Sequence, residues 1–366
     1  VKAPLYQAQL IETALLTIVN FQSLISTKAS RVCYAAKGDP VFEFGLRRAQ
    51  GPDAGTYGAR AAVVGGCAGT ANVLAGKMFD IPVVGTQAHS WVQKFDNELD
   101  SFRAYADVYP DNCLLLVDTY DVLKSGVPNA IKVFDELKAK GHKPKGIRID
   151  SGDLQYLSNE SKKLFEEAGY YDLIYTASND LDEYTITSLK SSGAAINSWG
   201  VGTKLITSAE SPSLGGVYKL AASYEKDKLI PKIKVSEDAE KINNPGFKKV
   251  IRIYNENNMA EGDLIMLHDE EIDTTKPLTI FDPTYTWKKT TFQNYTIKEL
   301  QKPLFKNGEC KYVPKSVIEI KKYVNEQLNT FWDSYKRFSN PKRYKVDLSE
   351  NLWTLKSDLL DSKKRL

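Results

Sequence analysis

Apolar side chains recur at helical spacing through the first part of the chain: Leu10, Ala14, Ile18, Phe21 and Ile25, with other apolar residues widening the face. This period predicts one long helix over residues 4–36, ended by Gly38-Asp39-Pro40. A short strand, residues 41–44, leads into Gly45-Leu46-Arg47-Arg48. From there apolar runs and helical stretches alternate. Residues 57–79, rich in Ala and Gly, predict a closely packed helix, and residues 81–84 a strand. Residues 90–106 predict a helix, 113–118 a buried strand, and 127–140 a helix ended by Gly141. Residues 146–150 predict a strand, 153–168 a helix ended by Gly169 and opened by a possible Asp153 cap, 173–177 a strand, 180–191 a helix and 194–197 a strand.

The strands are continuous apolar runs, as expected when both faces of a sheet are covered. Strand and helix in alternation, about five times over, mean parallel strands joined by crossover helices. A (β/α) barrel and a doubly wound sheet share this pattern. The strand ends favour the barrel: Gly85-Thr86, Asp118, Arg148-Ile149-Asp150, Ser178-Asn179-Asp180 and Trp199-Gly200-Val201-Gly202 all follow apolar runs. Barrel sites are assembled in this way, from the C-terminal ends of several strands. The rhythm stops near residue 210. Beyond it, turn signals such as Asn244-Pro245-Gly246 and Asp282-Pro283 separate short alternating segments that predict antiparallel strands. A helix is expected over residues 314–338, with Val317, Ile320, Val324 and Leu328 on one face.

Composition narrows the classes. A chain of 366 residues exceeds what one core organises, so two domains are expected. A net charge of +3, with basic residues dispersed apart from a modest cluster at Lys363, Lys364 and Arg365, argues against a nucleic-acid partner. No apolar run is read as a membrane span, and no signal-peptide pattern is present. Cys33, Cys67, Cys113 and Cys310 form no CxxC pair and read as reduced thiols, which points to the cytoplasm.

Four stretches carry candidate chemistry. Gly200, Gly202 and Thr203 lie in a turn whose backbone N–H groups can approach an anion, although a plain tight turn has the same residues. Arg148 and Asp150, two apart on a strand, point to one face. They suit an anionic, metal-bearing substrate or a buried ion pair. Phe44 beside Arg47 and Arg48 offers a ring and charge for a flat anion, or forms a solvated basic turn. His89 is one of only three histidines, and a lone histidine is usually structural. Its place past a strand end gives it a second reading: Asp118, at the end of the next strand, accepts the Nδ1–H and leaves Nε2 as nucleophile or base. His142 and His268 read as surface residues.

In order along the chain, the motifs are Thr27-Lys28-Ala29-Ser30-Arg31, Glu43-Phe44-Gly45-Leu46-Arg47-Arg48, Gly85-Thr86-Gln87-Ala88-His89-Ser90, Arg148-Ile149-Asp150-Ser151-Gly152-Asp153, Ser178-Asn179-Asp180-Leu181, Gly200-Val201-Gly202-Thr203 and Asn244-Pro245-Gly246-Phe247-Lys248-Lys249-Val250. This ordered series closely resembles the nicotinate phosphoribosyltransferase family over nearly the whole chain. The resemblance implies an irregular parallel (β/α) barrel of the type II phosphoribosyltransferase kind, packed with a smaller mixed α+β domain. It divides the chain into a linking helix over residues 1–37, the barrel over 38–212 and a mixed region over 213–366. It also implies the first step of NAD salvage: nicotinate and phosphoribosyl pyrophosphate give nicotinate mononucleotide and pyrophosphate. Mg²⁺ is required, and ATP is hydrolysed through a phosphohistidine that matches His89.

Under this resemblance Phe44 stacks on the pyridine, Arg47 faces pyrophosphate or nicotinate, and Arg148 faces the carboxylate or the ribosyl side. Asp118 orients His89, and Asp150 holds ribose hydroxyls or Mg²⁺. Ser178 and Asn179 line the substrate site, while Gly200, Gly202 and Thr203 cradle the 5-phosphate. Nicotinamide-using relatives carry an Asp where this chain has Ala71; an acid there would repel the nicotinate carboxylate, so nicotinate is the expected substrate. The family works as a homodimer and has an N-terminal portion ahead of the long helix. This chain, which starts at that helix, reads as N-terminally truncated. The rivals are quinolinate phosphoribosyltransferase, which needs no ATP, and a non-catalytic nucleotide-binding regulator.

Overall fold

The apolar run-and-helix rhythm builds six parallel strands: β1 (Val41–Glu43), β2 (Gly69–Thr70), β3 (Leu114–Leu116), β4 (Gly146–Ile149), β5 (Ile174–Ser178) and β6 (Ser198–Val201). Their order is β2-β1-β6-β5-β4-β3. The first strand of the rhythm therefore pairs with the last, with Val41 opposite Trp199 and Glu43 opposite Val201. That pairing curls the sheet into a barrel; a doubly wound sheet would leave these strands apart. The irregularity lies between β2 and β3, which do not pair. The strand expected over residues 81–84 contributes a single parallel bridge there, from Val83 to Thr70. The computed structural model describes residues 1–237 and 241–364; Arg365 of the expected basic cluster lies outside them, as does the side chain of Lys364.

Contacts divide the chain into two compact units. The first holds Thr13–Gly215 and Lys315–Val324, with the barrel strands and their crossover helices. Its core is filled by Trp199, Phe102, Phe134, Phe165, Leu115, Leu116 and Ile147, all fully buried. The second holds Val1–Glu12, Gly216–Pro314 and Asn325–Leu366. It carries a mixed six-stranded sheet whose two longest strands, Lys248–Asn255 and Ala260–Leu267, are antiparallel, while Val346–Leu348 joins the latter in parallel. Ile251, Ile253, Leu264, Met266, Ile280 and Tyr295 form its core.

Several elements differ from the sequence expectation. The first helix is α1 (Leu5–Leu10) followed, after a turn residue at Ile11, by α2 (Glu12–Ala35). The stretch 57–79 is not one helix but α3 (Pro52–Val64), β2 and α4 (Val73–Phe79). Two glycines end α3. Gly65 lies so close to α2 that a Cβ there would sit 2.3 Å from the Ser26 carbonyl oxygen, and Gly66 has φ 127°. The helical region 90–106 is split into α5 (His89–Gln93) and α6 (Glu98–Val108). The helices α7 (Val127–Ala139), α8 (Leu154–Glu167) and α9 (Glu183–Ser191) follow, and Asp153 does cap α8, accepting from the Tyr156 N–H at 3.0 Å. The last strand is Ser198–Val201, four residues beyond the expected 194–197, so Gly200 lies in a strand and Gly202 caps the short α10 (Thr203–Ile206). The helix expected over 314–338 is Val317–Leu328 and a short turn, Asp333–Lys336.

One further expectation is corrected. By length and composition, Leu5–Ala35 is apolar enough to cross a membrane. Its C-terminal half is core, however: Leu24, Ile25, Ala29 and Val32 are buried. Lys28, only 4% exposed, pairs there with Glu183, itself 1% exposed, at 2.7 Å. Arg31 Nε reaches the other Glu183 oxygen at 2.6 Å. Burial pushes the Glu183 carboxyl up, but hydrogen bonds from Lys28 and Arg31 outweigh it and hold the group below its usual range. A depressed carboxylate stabilises the fold above its unfolded value and loses that contribution as pH falls through its folded value. Lys28 also pairs with Glu210, so Glu183→Gln is expected to destabilise the unit by about 1.5–3 kcal/mol at neutral pH, the scale of hydrogen bonds to a charged group. The deficit should shrink toward acid pH. Denaturant unfolding across the pH range checks this, and equal neutral-pH stabilities would refute the role of the pair.

Candidate active site

At the C-terminal ends of the strands, β4 places Arg148 and Asp150 on one face, as the two-residue period requires. The Arg148 guanidinium bonds three acceptors from three segments: Nε to Ser178 Oγ, Nη1 to Thr86 Oγ1 and Nη2 to Asp150 Oδ1, each at 2.8 Å. Only a rigid planar fork reaches all three at once. Ser178 Oγ also donates to Asp150 Oδ1. Burial raises the Asp150 carboxyl, but the Ser178 hydrogen bond and the Arg148 charge and hydrogen bond win, so it stays ionised below its usual range.

Asp118, at the end of β3, has a side chain only 2% exposed. Its Oδ2 accepts from the Asp150 N–H at 2.9 Å and from Ser151 Oγ at 2.6 Å. Its Oδ1 is buried without a hydrogen-bond partner and lies 3.9 Å from His89 Nε2. His89 opens α5. Its Nε2 also lies 3.6 Å from Asp150 Oδ2, and its Nδ1 meets Thr119 Oγ1 at 3.1 Å. This corrects the sequence reading: Asp118 faces Nε2, and Thr119 takes the Nδ1 side. The residue after Asp118 thus reaches Nδ1 while the two carboxylates converge on Nε2.

Phe44 follows β1, and its main-chain N–H bonds the Val201 carbonyl at 2.8 Å. Its ring lies over Gly200, where a Cβ would sit 2.7 Å from it, so the glycine is required by close approach. The Arg148 guanidinium lies 5.8 Å from the ring centroid. His89, Asp118, Asp150, Arg148, Ser178, Phe44 and Gly200 thus converge. Arg47, in the turn Leu46–Arg48, is exposed, as are Ala71, Asn179 and Thr203. They follow strand ends, and among the described residues no hydrogen bond or ion pair ties their side chains to the cluster. Asn179 has φ 107°, which a non-glycine residue seldom adopts, and such strain concentrates at functional sites. Gly202 leaves β6 with Thr203 just after it.

Residues missed from the sequence are Thr86, Thr119, Ser151, Glu43 and Thr70. Thr86 and Ser151 lie inside the ordered motifs and Thr119 follows Asp118, but only the spatial neighbour shows what each hydroxyl bonds. His142 and His268 keep their surface reading, His142 facing Asp111 at 2.9 Å.

Comparison with known proteins agrees with this arrangement. Residues 40–250 match the nicotinate phosphoribosyltransferase (NAPRTase) family model, and residues 247–356 match the nicotinate phosphoribosyltransferase C-terminal domain. A nicotinate phosphoribosyltransferase of Bacillus subtilis (strain 168) is 48% identical over 97% of this chain and 72% of that protein. One from Caenorhabditis elegans is 37% identical over 96% of this chain and 72% of that protein. The crystal structure of human nicotinic acid phosphoribosyltransferase superposes with a TM-score of 0.84 at 27% identity, covering 98% of this chain and 78% of that one. The ordered motifs, the barrel and these matches give one result: the chain belongs to the nicotinate phosphoribosyltransferase family.

Proposed function

We propose that this nicotinate phosphoribosyltransferase couples nucleotide formation to ATP through His89. The family reaction joins nicotinate to C1 of phosphoribosyl pyrophosphate and expels pyrophosphate. The observation that carries the coupling is the convergence of Asp118 and Asp150 on His89 Nε2, beside the Arg148 fork. In the proposed course the imidazole attacks the γ-phosphorus of ATP, the bond to the β–γ bridging oxygen breaks, and ADP leaves. Asp118 and Asp150 offer the hard oxygen donors that Mg²⁺ takes alongside substrate phosphates. Bound there, Mg²⁺ would neutralise developing phosphate charge. Arg148 holds Asp150 ionised and faces the substrate anion. Phe44 stacks on the pyridine, with Arg47 nearby for its carboxylate or for pyrophosphate. Ser178 and Asn179 contact the sugar, and Gly200, Gly202 and Thr203 receive the 5-phosphate. Positive charge developing at C1 is stabilised by the two carboxylates. A homodimer is part of the reading; the exposed Leu15, Ile18 and Val19 of α2 are a surface that such a partner would cover.

The test is a nicotinate mononucleotide assay, run with nicotinate, nicotinamide and quinolinate, each with and without ATP. Nicotinate is expected to be the preferred substrate, with ATP consumed during turnover. Quinolinate use without ATP would replace this reading with the rival enzyme, and ligand binding without any product would favour a regulator. Ala71→Asp is expected to lower nicotinate use roughly 10-fold, since an acid repels the substrate carboxylate. Unchanged selectivity in that variant would remove Ala71 from the site.

A further inference from the structure

Glu43 is fully buried, and among the described residues no cation is paired with it. A carboxylate in such a place is costly, and burial indeed pushes its pKa up. Its two oxygens are both used, and by different loops. Oε1 accepts the Gly45 N–H, in the loop that carries Phe44 and Arg47. Oε2 accepts from Thr70 Oγ1 at 2.6 Å. Thr70 Oγ1 in turn accepts the Asn72 N–H at 3.0 Å, and Asn72 Oδ1 caps α4 through the Ala75 N–H at 3.0 Å. Ala71 lies between Thr70 and Asn72, and its own N–H bonds the Glu43 carbonyl at 3.0 Å. The side chain of Glu43 thus joins the Phe44 loop to the Ala71 loop.

We propose that Glu43 is the positioning residue that sets the spacing of Phe44 and Ala71 and thereby the binding of the pyridine substrate. The inference rests on the reading of Phe44 and Ala71 as the pyridine subsite. Two donors, the Gly45 N–H and the Thr70 O–H, require two acceptor oxygens. A carboxylate supplies both, whereas a glutamine amide supplies one. Glu43→Gln leaves the size of the side chain intact but can keep both loops only by reversing the Thr70 bond, so the Thr70 hydroxyl proton loses its acceptor.

The experiment measures KM for nicotinate, KM for phosphoribosyl pyrophosphate and kcat in Glu43→Gln, Thr70→Val and the double variant of the full chain, with Phe44→Leu alongside. Glu43→Gln is expected to raise KM for nicotinate roughly 10-fold, the scale of one lost buried hydrogen bond, with KM for phosphoribosyl pyrophosphate unchanged. Thr70→Val should act in the same direction, and the double variant should add little to the larger single effect. A folded Glu43→Gln enzyme with an unchanged nicotinate KM, or with both KM values raised alike, overturns the inference. If Glu43→Gln does not fold, an unchanged nicotinate KM in Thr70→Val overturns it instead. A Phe44→Leu enzyme with unchanged nicotinate KM overturns the subsite reading itself, whatever Glu43 does.

Discussion

Replacing His89 by Ala is expected to abolish ATP stimulation of nicotinate mononucleotide synthesis, while the slower synthesis without ATP persists. The same variant should take up no label from γ-labelled ATP, whereas the parent enzyme should carry acid-labile, alkali-stable phosphate. The geometry explains the size of the effect. Thr119 holds the Nδ1 side of the ring at 3.1 Å, leaving Nε2 toward Asp150 and Asp118 at 3.6 and 3.9 Å. The other two histidines read as surface residues in the sequence, and His142 faces Asp111. A phosphoryl group on the ring adds close to two negative charges, about −1.5 to −2 by analogy with other phosphorylated side chains. Beside two carboxylates that charge calls for a nearby cation, the part that the proposed Mg²⁺ would take. Equal ATP stimulation in the parent and in His89→Ala would end the phosphohistidine reading and leave the transferase assignment standing.

Arg148→Lys is expected to lower kcat/KM by roughly 10²–10³, comparable to losing a preorganised donor at a developing charge. Lysine keeps the charge but not the fork, so it can serve at most part of the triangle of Ser178, Thr86 and Asp150. A second readout follows from Asp150. Its carboxyl is raised by burial but held below its usual range by Ser178 and Arg148. Weakening the Arg148 bond raises it. Because Asp150 acts ionised, the acid limb of the kcat/KM profile should move to higher pH in the variant. A variant that loses rate with an unmoved acid limb would mean that Arg148 serves substrate binding alone.

Much of the site was legible one strand end at a time. Parallel strands buried on both faces give continuous apolar runs, and the first polar residues after them are the ones that meet above the barrel. His89, Asp118, Arg148, Asp150 and Ser178 were found that way. Glu43 was not, because in a three-residue strand a single acid reads as a solvent-facing position. It is buried because β1 lies between β2 and β6. The register of β6 was also missed: the polar Ser198 interrupts its apolar pattern, and only pairing with Val41 and Thr176 places it. The stretch 57–79 misled for the opposite reason. Its Ala and Gly residues suit a packed helix throughout, and β2 is too short to show a period of its own.

Local pattern thus determined the elements, their parallel alternation and the order of the motifs, since each depends on spacing within a few residues of chain. Which nitrogen of His89 faces the carboxylates, how one guanidinium joins three segments, and which loops the buried Glu43 side chain connects were decided by tertiary structure. Those contacts span between 2 and 62 positions along the chain, and a hydrogen bond depends on distance and direction in space that no spacing in the sequence encodes.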